Sequence, residues 1–214
     1  MTDTIDRSGD TDDDRVLDHL VVRFAGDSGD GMQLTGSRFT SVSATYGNDL
    51  STLPDFPAEI RAPAGSISGV SAFQVNIADH DITTPGDEPN VLVAMNPAAL
   101  KAELHRLEPG GTVIVNEDAF EERNLEKAEY DVNPLDDNTL ANYRAIKVPM
   151  SSLTKEACAP LGVKPRDAER SKNFFALGLV SWMYSRPAEP TLEWIRERFG
   201  GNEKVEGANR AAFN

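Results

Sequence analysis

A glycine-rich loop between an apolar run and a helical run is the first place where this sequence could do chemistry. Gly26, Gly29 and Gly31 follow the apolar run 19–25, and a helical pattern begins at Met32. Backbone N–H groups at such a strand-to-helix turn can bind a phosphate or another anion. However, the spacing i, i+3 and i+5 differs from the dinucleotide pattern G-x-G-x-x-G, and no Walker lysine follows the loop.

Two interpretations of this loop remain open. Either the glycines only permit a tight turn, or the loop receives a phosphate-bearing ligand from the helix side. In the second case Ser28, Gln33 and Thr35 would be neutral hydrogen-bond donors. Asp27 and Asp30 would repel a pyrophosphate lying directly on the loop. An NAD-binding oxidoreductase is disfavoured further, because the acidic ribose partner expected at the end of a second strand is missing.

A proline-rich segment, residues 48–69, interrupts the pattern of strands and helices. Arg61 is its lone arginine and stands among glycines and small hydroxyls, which suits a loop whose backbone approaches a ligand. The alternative is a packed loop in which Arg61 forms a salt bridge with Glu59 or Asp55. We expect an ordered but irregular excursion here.

The charge balance is acidic and excludes some classes of partner. Lysine and arginine total 21 against 35 acids, giving a formal net charge of -14, so a general nucleic-acid or anionic-membrane surface is not expected. The acidic, apolar-poor segment 1–18 predicts a disordered tail, and residues 19–214 suffice for one domain. No run approaches the ~18 apolar residues of a membrane helix, and the charged start is not a secretory signal, so we expect a cytoplasmic protein.

Cys158 is the single cysteine of the chain. An internal disulfide is therefore excluded, and so is a four-cysteine zinc or iron-sulfur site built by this chain alone. Two interpretations of Cys158 are possible, a small core filler on a helix or a nucleophile, and no nearby histidine supports the second.

The remaining sequence predicts an α/β layered fold. Apolar runs and helical periodicity follow one another in the order β-α-β-β-α-β-β-α-α-α, which indicates a Rossmann-like three-layer domain with a largely parallel sheet and a helical C-terminal part. Asn96 followed by Pro97 predicts a capped helix start, and Ser151 or Ser152 can cap a later helix. The predicted strands cover 19–25, 70–78, 91–95, 112–116 and 145–149, and the predicted helices cover 32–47, 97–109, 151–162, 167–184 and 191–199.

Four segments in this order and spacing resemble one known family. The segments are GDSGDGMQLTGSRF, FPAEIRAPAGSISGVSAFQV, NPAALKAEL and RSKNFFALGLV. Together they are similar to the gamma domain fused to the N-terminus of the alpha subunit in 2-oxoacid:acceptor oxidoreductases. The form EIRAPAGSISGVS resembles the 2-oxoglutarate branch, and the resemblance covers about residues 19–214.

This resemblance implies an enzyme that decarboxylates a 2-oxoacid on thiamine diphosphate. Electrons would pass through an iron-sulfur cluster to ferredoxin, and the acyl group would pass to coenzyme A. The gamma domain of the family is implicated in holding coenzyme A. The thiamine-binding domains of the alpha subunit and a beta subunit are the implied partners, and they would carry the thiamine diphosphate and the cluster.

The resemblance also selects candidate residues for coenzyme A contact. Two of them, Arg61 and Lys172, would offset phosphate charge, whereas Lys172 as a solvated helix-start cation and Asn173 as a cap are the alternatives. The full set comprises Gly29, Asp30, Gly31, Met32, Arg61, Ser66, Ser68, Lys172 and Asn173. No catalytic residue and no metal ligand is predicted in this chain.

One expected part of such an enzyme is missing from the sequence. The pyrimidine-binding domain that should follow in a full alpha subunit is absent, and the sequence ends at AAFN in an expected final helix. We therefore expect a truncated alpha subunit or a separately encoded gamma subunit, inactive alone. Two alternatives remain, a non-catalytic structural or interaction domain of the same complex and an independent nucleotide-binding oxidoreductase.

Overall fold

The computed structural model describes residues 19–45, 47–56 and 69–214. The segment 1–18, predicted to be a disordered tail, lies outside the described residues, as does most of the proline-rich segment. In the described ranges the strands are β1 (His19–Asp27), β2 (Asp49–Asp55), β3 (Val70–Ala78), β4 (Val91–Ala94), β5 (Thr112–Asn116) and β6 (Arg144–Val148). The helices are α1 (Met32–Ala44), α2 (Pro97–Glu103), α3 (Glu122–Lys127), α4 (Met150–Cys158), α5 (Pro165–Ala168), α6 (Lys172–Met183), α7 (Glu189–Phe199) and α8 (Glu203–Phe213).

The strands form one sheet in the order β2-β3-β1-β4-β5-β6. Strands β1, β4, β5 and β6 run parallel, whereas β3 is antiparallel to both β1 and β2. The expected Rossmann-like fold with a largely parallel sheet is therefore confirmed. The chain leaves β1 toward the β2 edge and later returns to build β4 on the other flank, so the connections reverse between β1 and β4. Open α/β sheets bind ligands at such a reversal.

Alternating side chains along the central strands build a core on each face of the sheet. On one face Phe24 and Val93 pack in a cluster with α1, α6, α7 and α8. On the other face Leu92 and Val113 pack with Leu100 of α2. The strand residues at the centre of both cores are fully buried, which makes the carboxyl ends of the parallel strands rigid supports. Among the described residues, no helix combines the length and apolar character needed to cross a bilayer.

Three local predictions need correction. The irregular excursion expected over 48–69 begins as strand β2, and Pro54 is tolerated there because β2 is an edge strand paired with β3 alone. The helix expected over 167–184 is broken, because a 3₁₀ turn at Glu169–Ser171 separates α5 from α6. Neither Ser151 nor Ser152 caps α4, which begins at Met150 after Pro149.

Arg23 is a fully buried cation on the α2 side of β1. Its Nε donates to Glu103 Oε2 at 2.7 Å, and its Nη2 donates to Glu103 Oε1 at 3.0 Å and to Asp55 Oδ2 at 2.7 Å. Nη1 lies 3.4 Å from Gln74 Oε1. Burial opposes the charged form of Arg23, but the two carboxylates outweigh burial and raise its pKa above the ordinary value. This cluster joins α2, β1, β2 and β3.

Candidate functional site

A cavity of about 1110 Å³ lies where β1, β4 and β5 end. The cavity is bordered by Asp27, the last residue of β1, by Asn96 after β4 and by Asn116, the last residue of β5. The cavity therefore occupies the crevice at the topological reversal, the position where α/β folds bind their ligands. Its other walls come from α3, the start of α4, α5 and the start of α6.

The floor of the cavity is a hydrogen-bonded chain of polar side chains. Asn116 is fully buried, and its Nδ2 donates to Ser151 Oγ at 3.2 Å. Ser151 Oγ donates in turn to Glu169 Oε1 at 2.7 Å. The Asn116 Oδ1 accepts from the backbone N–H of Ser151 at 3.3 Å, and Asp118 Oδ2 accepts from that of Ser152 at 2.7 Å. The N–H groups of Ser151 and Ser152 in the first turn of α4 are thus bonded by Asn116 and Asp118, at and just after the end of β5, rather than by serine side chains.

Two lysines extend this hydrogen-bonded network toward the glycine loop. Lys155 Nζ lies 2.8 Å from Glu169 Oε2, and Lys172 Nζ lies 3.7 Å from Glu169 Oε1 and 3.0 Å from Asp30 Oδ1. Burial disfavours the carboxylate of Glu169, but hydrogen bonds from Lys155 and Ser151 and the charge of Lys172 outweigh it, so the pKa of Glu169 is lowered. An unbroken polar network therefore runs from β5 to the glycine loop.

The acidic side chains of the glycine loop form hydrogen bonds that hold the loop in place. Asp30 Oδ2 accepts from the backbone N–H of Asp27 at 3.0 Å, and Asn96 Nδ2 donates to Asp27 Oδ1 at 2.9 Å. Burial and the nearby charge of Asp30 raise the pKa of Asp27, although Asn96 and Lys172 act in the opposite direction. Asn96 Oδ1 also accepts from the N–H of Ala99, which confirms Asn96 as the cap of α2.

The helix after the loop, α1, begins without a side-chain cap. Gly31 stands at its N-cap with φ of 76°, and a Cβ at this residue would lie 2.8 Å from Asn173 Nδ2. The residue must therefore adopt the left-handed conformation and leave room for Asn173. No side chain among the described residues accepts from the first N–H groups of α1, so the positive end of this helix, directly after the cavity-lining Asp30, is uncapped within that part of the chain.

Both described flanks of the proline-rich segment lie beside the glycine loop. Ser28 donates its backbone N–H to Gly69 O at 2.8 Å, and Gly69 also borders the cavity. Gln33 Nε2 donates to Asp55 O at 3.2 Å and to Ala72 O at 2.9 Å. The connection between β2 and β3 therefore starts and finishes at the carboxyl end of β1.

The structure places the predicted contact residues in different settings. Asp30 and Lys172 meet at the cavity wall, and Gly29 lies exposed at the loop tip with open space around it. The Met32 side chain is buried in the core, so only its backbone is left for a ligand. Asn173 is 5% exposed and lines a second cavity instead. The remaining three predicted residues, Arg61, Ser66 and Ser68, lie outside the described residues.

Sequence reasoning missed much of the cavity wall. Asn116, Ser151, Lys155 and Glu169 form its polar network, and the exposed Arg166 adds a further cation. One signal was available for Asn116, because a polar residue directly after an apolar parallel strand lies at the crevice. Lys155 and Glu169 carry no such signal, since only the packing of α4 against α5 and the following turn brings them together.

The Cys158 thiol does not reach this cavity. Its residue is fully buried, Sγ lies 3.6 Å from Ala208 O, and burial raises the pKa of the thiol. A buried thiol with a raised pKa is a weak nucleophile, so the structure supports the interpretation of Cys158 as a core residue.

The fold and the crevice define a Rossmann-like domain with a polar cavity at the carboxyl ends of its parallel strands. The profile of the pyruvate ferredoxin/flavodoxin oxidoreductase family matches residues 21–214, and the chain belongs to this family. The resemblance noted from the sequence is thereby confirmed. Over 201 residues the chain is 55% identical to the 2-oxoglutarate oxidoreductase subunit KorA of Mycobacterium tuberculosis, covering 94% of this chain and 31% of that subunit.

Solved structures of similar shape include a longer chain and two shorter ones. The 2-oxoglutarate:ferredoxin oxidoreductase of Magnetococcus marinus, solved with 2-oxoglutarate, coenzyme A and succinyl-CoA bound, matches with a TM-score of 0.70 and 26% identity, over 92% of this chain and 30% of that one. The gamma subunit of a keto/oxoacid ferredoxin oxidoreductase from Geobacter sulfurreducens matches with a TM-score of 0.60 and 19% identity, over 91% and 96%. The pyruvate oxidoreductase subunit PORC of Thermotoga maritima matches with a TM-score of 0.59 and 18% identity, over 92% and 94%. These last two matches show the fold alone.

Proposed function

We propose that this chain is the gamma-type domain of a 2-oxoglutarate:ferredoxin oxidoreductase and that its crevice binds the phosphate-bearing part of coenzyme A. The observation that carries the proposal is the cavity itself, which is lined by lysines and by part of the glycine loop that precedes α1, at the reversal between β1 and β4. The reaction would convert 2-oxoglutarate and coenzyme A to succinyl-CoA and carbon dioxide, with two electrons passed to ferredoxin. The 55% identity to the Mycobacterium tuberculosis subunit supports this assignment.

The cavity is lined by five carboxylates and four cations, and the cations suit a phosphorylated ligand. Lys155 and Lys172 hold carboxylates that a phosphate can replace, because phosphate is also an anion with several acceptor oxygens. Arg166, which forms no ion pair within the part of the chain that the structure describes, adds a planar donor at the mouth. The carboxylates hold the ammonium groups in place until the ligand arrives, so little reorganisation accompanies binding.

The remaining chemistry is assigned to other polypeptide regions. Thiamine diphosphate would bind to the further domains of the alpha subunit and the beta subunit, and a cluster would need cysteines that this chain lacks beyond Cys158. The solved Magnetococcus marinus enzyme holds 2-oxoglutarate, coenzyme A and succinyl-CoA, which supports coenzyme A as the ligand within the family. Activity of the present chain alone is not expected, and a cytoplasmic location is part of the same proposal.

Isothermal titration of the chain with coenzyme A tests the proposal. We expect saturable binding in the micromolar to millimolar range, and about tenfold weaker binding by the Lys172→Gln variant, since one charge-assisted contact is worth roughly 1.5 kcal/mol. The matched control is Arg198→Gln, which removes an exposed cation on α7 away from the crevice. Arg61→Ala tests the predicted contact from the proline-rich segment.

The same titration separates the competing functions. Folded protein that binds no coenzyme A, or variants that bind it as well as the parent, would contradict the proposed site. Tight binding of NAD or ATP, or turnover without added subunits, would instead support an independent nucleotide-binding enzyme.

A second candidate function, a domain that only joins subunits, is favoured by one surface of α6. Trp182 is 78% exposed, and Phe175 and Leu179 precede it at helical spacing beside the end of α8. An exposed tryptophan next to partly buried apolar side chains is typical of a protein interface. It fits subunit contacts in the complex alongside ligand binding, and a chain that binds no coenzyme A yet co-purifies with its partner subunits would favour this function alone.

A further inference from the structure

A second cavity, of about 630 Å³, lies on the opposite side of the segment that walls the first one. Arg166, Glu169 and Lys172 line the first cavity, whereas Arg170 and Asn173 of the same segment line the second. The second cavity therefore shares a wall with the crevice but opens elsewhere. Its volume falls within the roughly 300–1,000 Å³ of small-molecule sites.

The body of this cavity is apolar and anchored in the main core. Phe174 and Phe199 form its aromatic wall, with their ring centroids 5.9 Å apart in an edge-to-face arrangement, and Leu34 of α1 completes it. Trp194 contacts both rings, tilted against Phe174 at 6.4 Å and edge-to-face with Phe199 at 5.8 Å between ring centroids. An apolar group entering the cavity would thus contact a rigid surface rather than mobile side chains.

The rim of the cavity is cationic although the chain as a whole is acidic. Lys164, Arg170 and Lys204 border it with a single carboxylate, Asp167. None of these four forms an ion pair within residues 19–45, 47–56 and 69–214. Three cations without an ion pair among the described residues, from the residue before α5, the following 3₁₀ turn and α8, converge on one opening of a protein with net charge -14. The local field therefore favours an anionic group.

The floor of the cavity carries a buried amide with a donor to spare. Asn209 is 4% exposed, and its Oδ1 accepts from Ser171 Oγ at 2.8 Å. Its Nδ2 has no hydrogen-bond partner among the described residues, and the residue lines the cavity. The Nδ2 group can therefore donate to an acceptor oxygen of a ligand in the cavity.

We propose that this second cavity binds a small organic anion, with a phosphate or carboxylate head at the cationic rim and an apolar group against Phe174 and Phe199. The Asn209 amide would donate to an oxygen of the ligand below the rim. The proposal goes beyond the coenzyme A function, since it concerns different residues and a different opening of the fold.

Trp194 provides a reporter for this cavity. The chain has two tryptophans, so Trp182→Phe leaves Trp194 as the single one, behind the aromatic wall. The probe is hexyl phosphate, which joins an apolar tail to a phosphate and does not absorb in the tryptophan range. We expect a saturable change in Trp194 emission, with an apparent affinity at least about tenfold tighter than for inorganic phosphate or 1-hexanol.

Charge variants and competition decide the location. The double variant Arg170→Gln/Lys204→Gln should bind hexyl phosphate with about tenfold or more lower affinity, as expected for lost charge-assisted contacts. The control Arg123→Gln on α3 should bind it as the parent does. A saturating concentration of coenzyme A should leave the hexyl phosphate titration curve of Trp194 emission unchanged. Displacement by coenzyme A, equal binding of inorganic phosphate, an unaffected double variant or the absence of a saturable signal would each overturn the proposal. Calorimetry with coenzyme A tests the other cavity independently.

Discussion

The buried arginine of β1 and the lysines of the crevice are both paired with carboxylates, but their surroundings differ. Arg23 has no exposed surface and has bonds to Glu103, Asp55 and Gln74. Lys172 and Lys155, in contrast, retain 20% and 42% of their side-chain exposure and border a large cavity. The first cluster leaves no room for a ligand, whereas the second can exchange its partners.

This difference separates charge that supports the fold from charge that can bind a ligand. Removing one member of a buried pair leaves an uncompensated charge in a low-dielectric environment, so the fold suffers. Removing one member of a partly exposed pair costs little stability, because water solvates the group that remains. Mutations in the buried Arg23 cluster should therefore lower mainly the free energy of unfolding, whereas mutations of the crevice lysines should lower mainly the affinity for the ligand.

The largest effect on stability is expected from Arg23→Met. The substitution leaves the 6%-exposed Glu103 without its main partner, and we expect a loss of about 3–5 kcal/mol in the free energy of unfolding. Denaturant unfolding measures it. The matched control is Arg106→Gln, which removes the half-exposed second partner of the same Glu103 carboxylate, 3.2 Å away. That control should cost less than about 1 kcal/mol, and equal losses in the two variants would contradict the comparison.

The reverse profile is expected from the double variant Lys155→Gln/Lys172→Gln. The loss of two charge-assisted contacts, at roughly 1.5 kcal/mol each, should lower the affinity for coenzyme A by about a hundredfold. The free energy of unfolding should change by less than about 1 kcal/mol, because both lysines are partly exposed. Calorimetry measures the change in affinity, and denaturant unfolding of the same preparation measures the change in the free energy of unfolding. A large stability loss with unchanged affinity would assign these lysines to the fold.

Elements with strong local signals could be predicted from the sequence. The apolar runs at β4 and β5 and the Asn96–Pro97 helix start are recognisable because burial and capping act on neighbouring residues. Strand β2 was missed because Pro54 and the polar residues around it are typical of loops, and only its pairing with β3 at the sheet edge makes it a strand.

The candidate site was predictable only in part. Asp30 and Lys172 were selected from separate motifs, and the structure brings them within 3.0 Å of each other. The remainder of the network connects Asn116, Ser151 and Glu169, which are distant in sequence and meet only through the order of the strands and the packing of α4. No local sequence pattern predicts contacts between residues so far apart in the sequence.

A smaller, pH-dependent effect is expected at Glu169. Its pKa is lowered in the folded protein, so the ionised group contributes stability above the ordinary carboxyl range, and that contribution disappears as the pH falls through the folded pKa. Glu169→Gln should therefore reduce the free energy of unfolding at pH 7 by about 1 kcal/mol or less, given its partial exposure. The difference from the parent should shrink below pH 4.5. Unfolding curves at several pH values test this, and a difference that grows in acid would contradict the assignment.

The smallest effect, with the opposite sign, is expected at Asp27. Its pKa is raised by burial and by Asp30, so ionisation becomes unfavourable in the folded protein as the pH rises above the ordinary value of 3.8. Asp27→Asn removes this charge and keeps an oxygen that can accept from Asn96. The variant should be more stable than the parent at pH 7, by less than about 1 kcal/mol because the residue is exposed, and the gain should vanish below pH 3.8. A loss of stability at pH 7 would mean that the Asp27 charge supports the glycine loop, as Glu103 supports Arg23, and would remove the distinction between the two clusters.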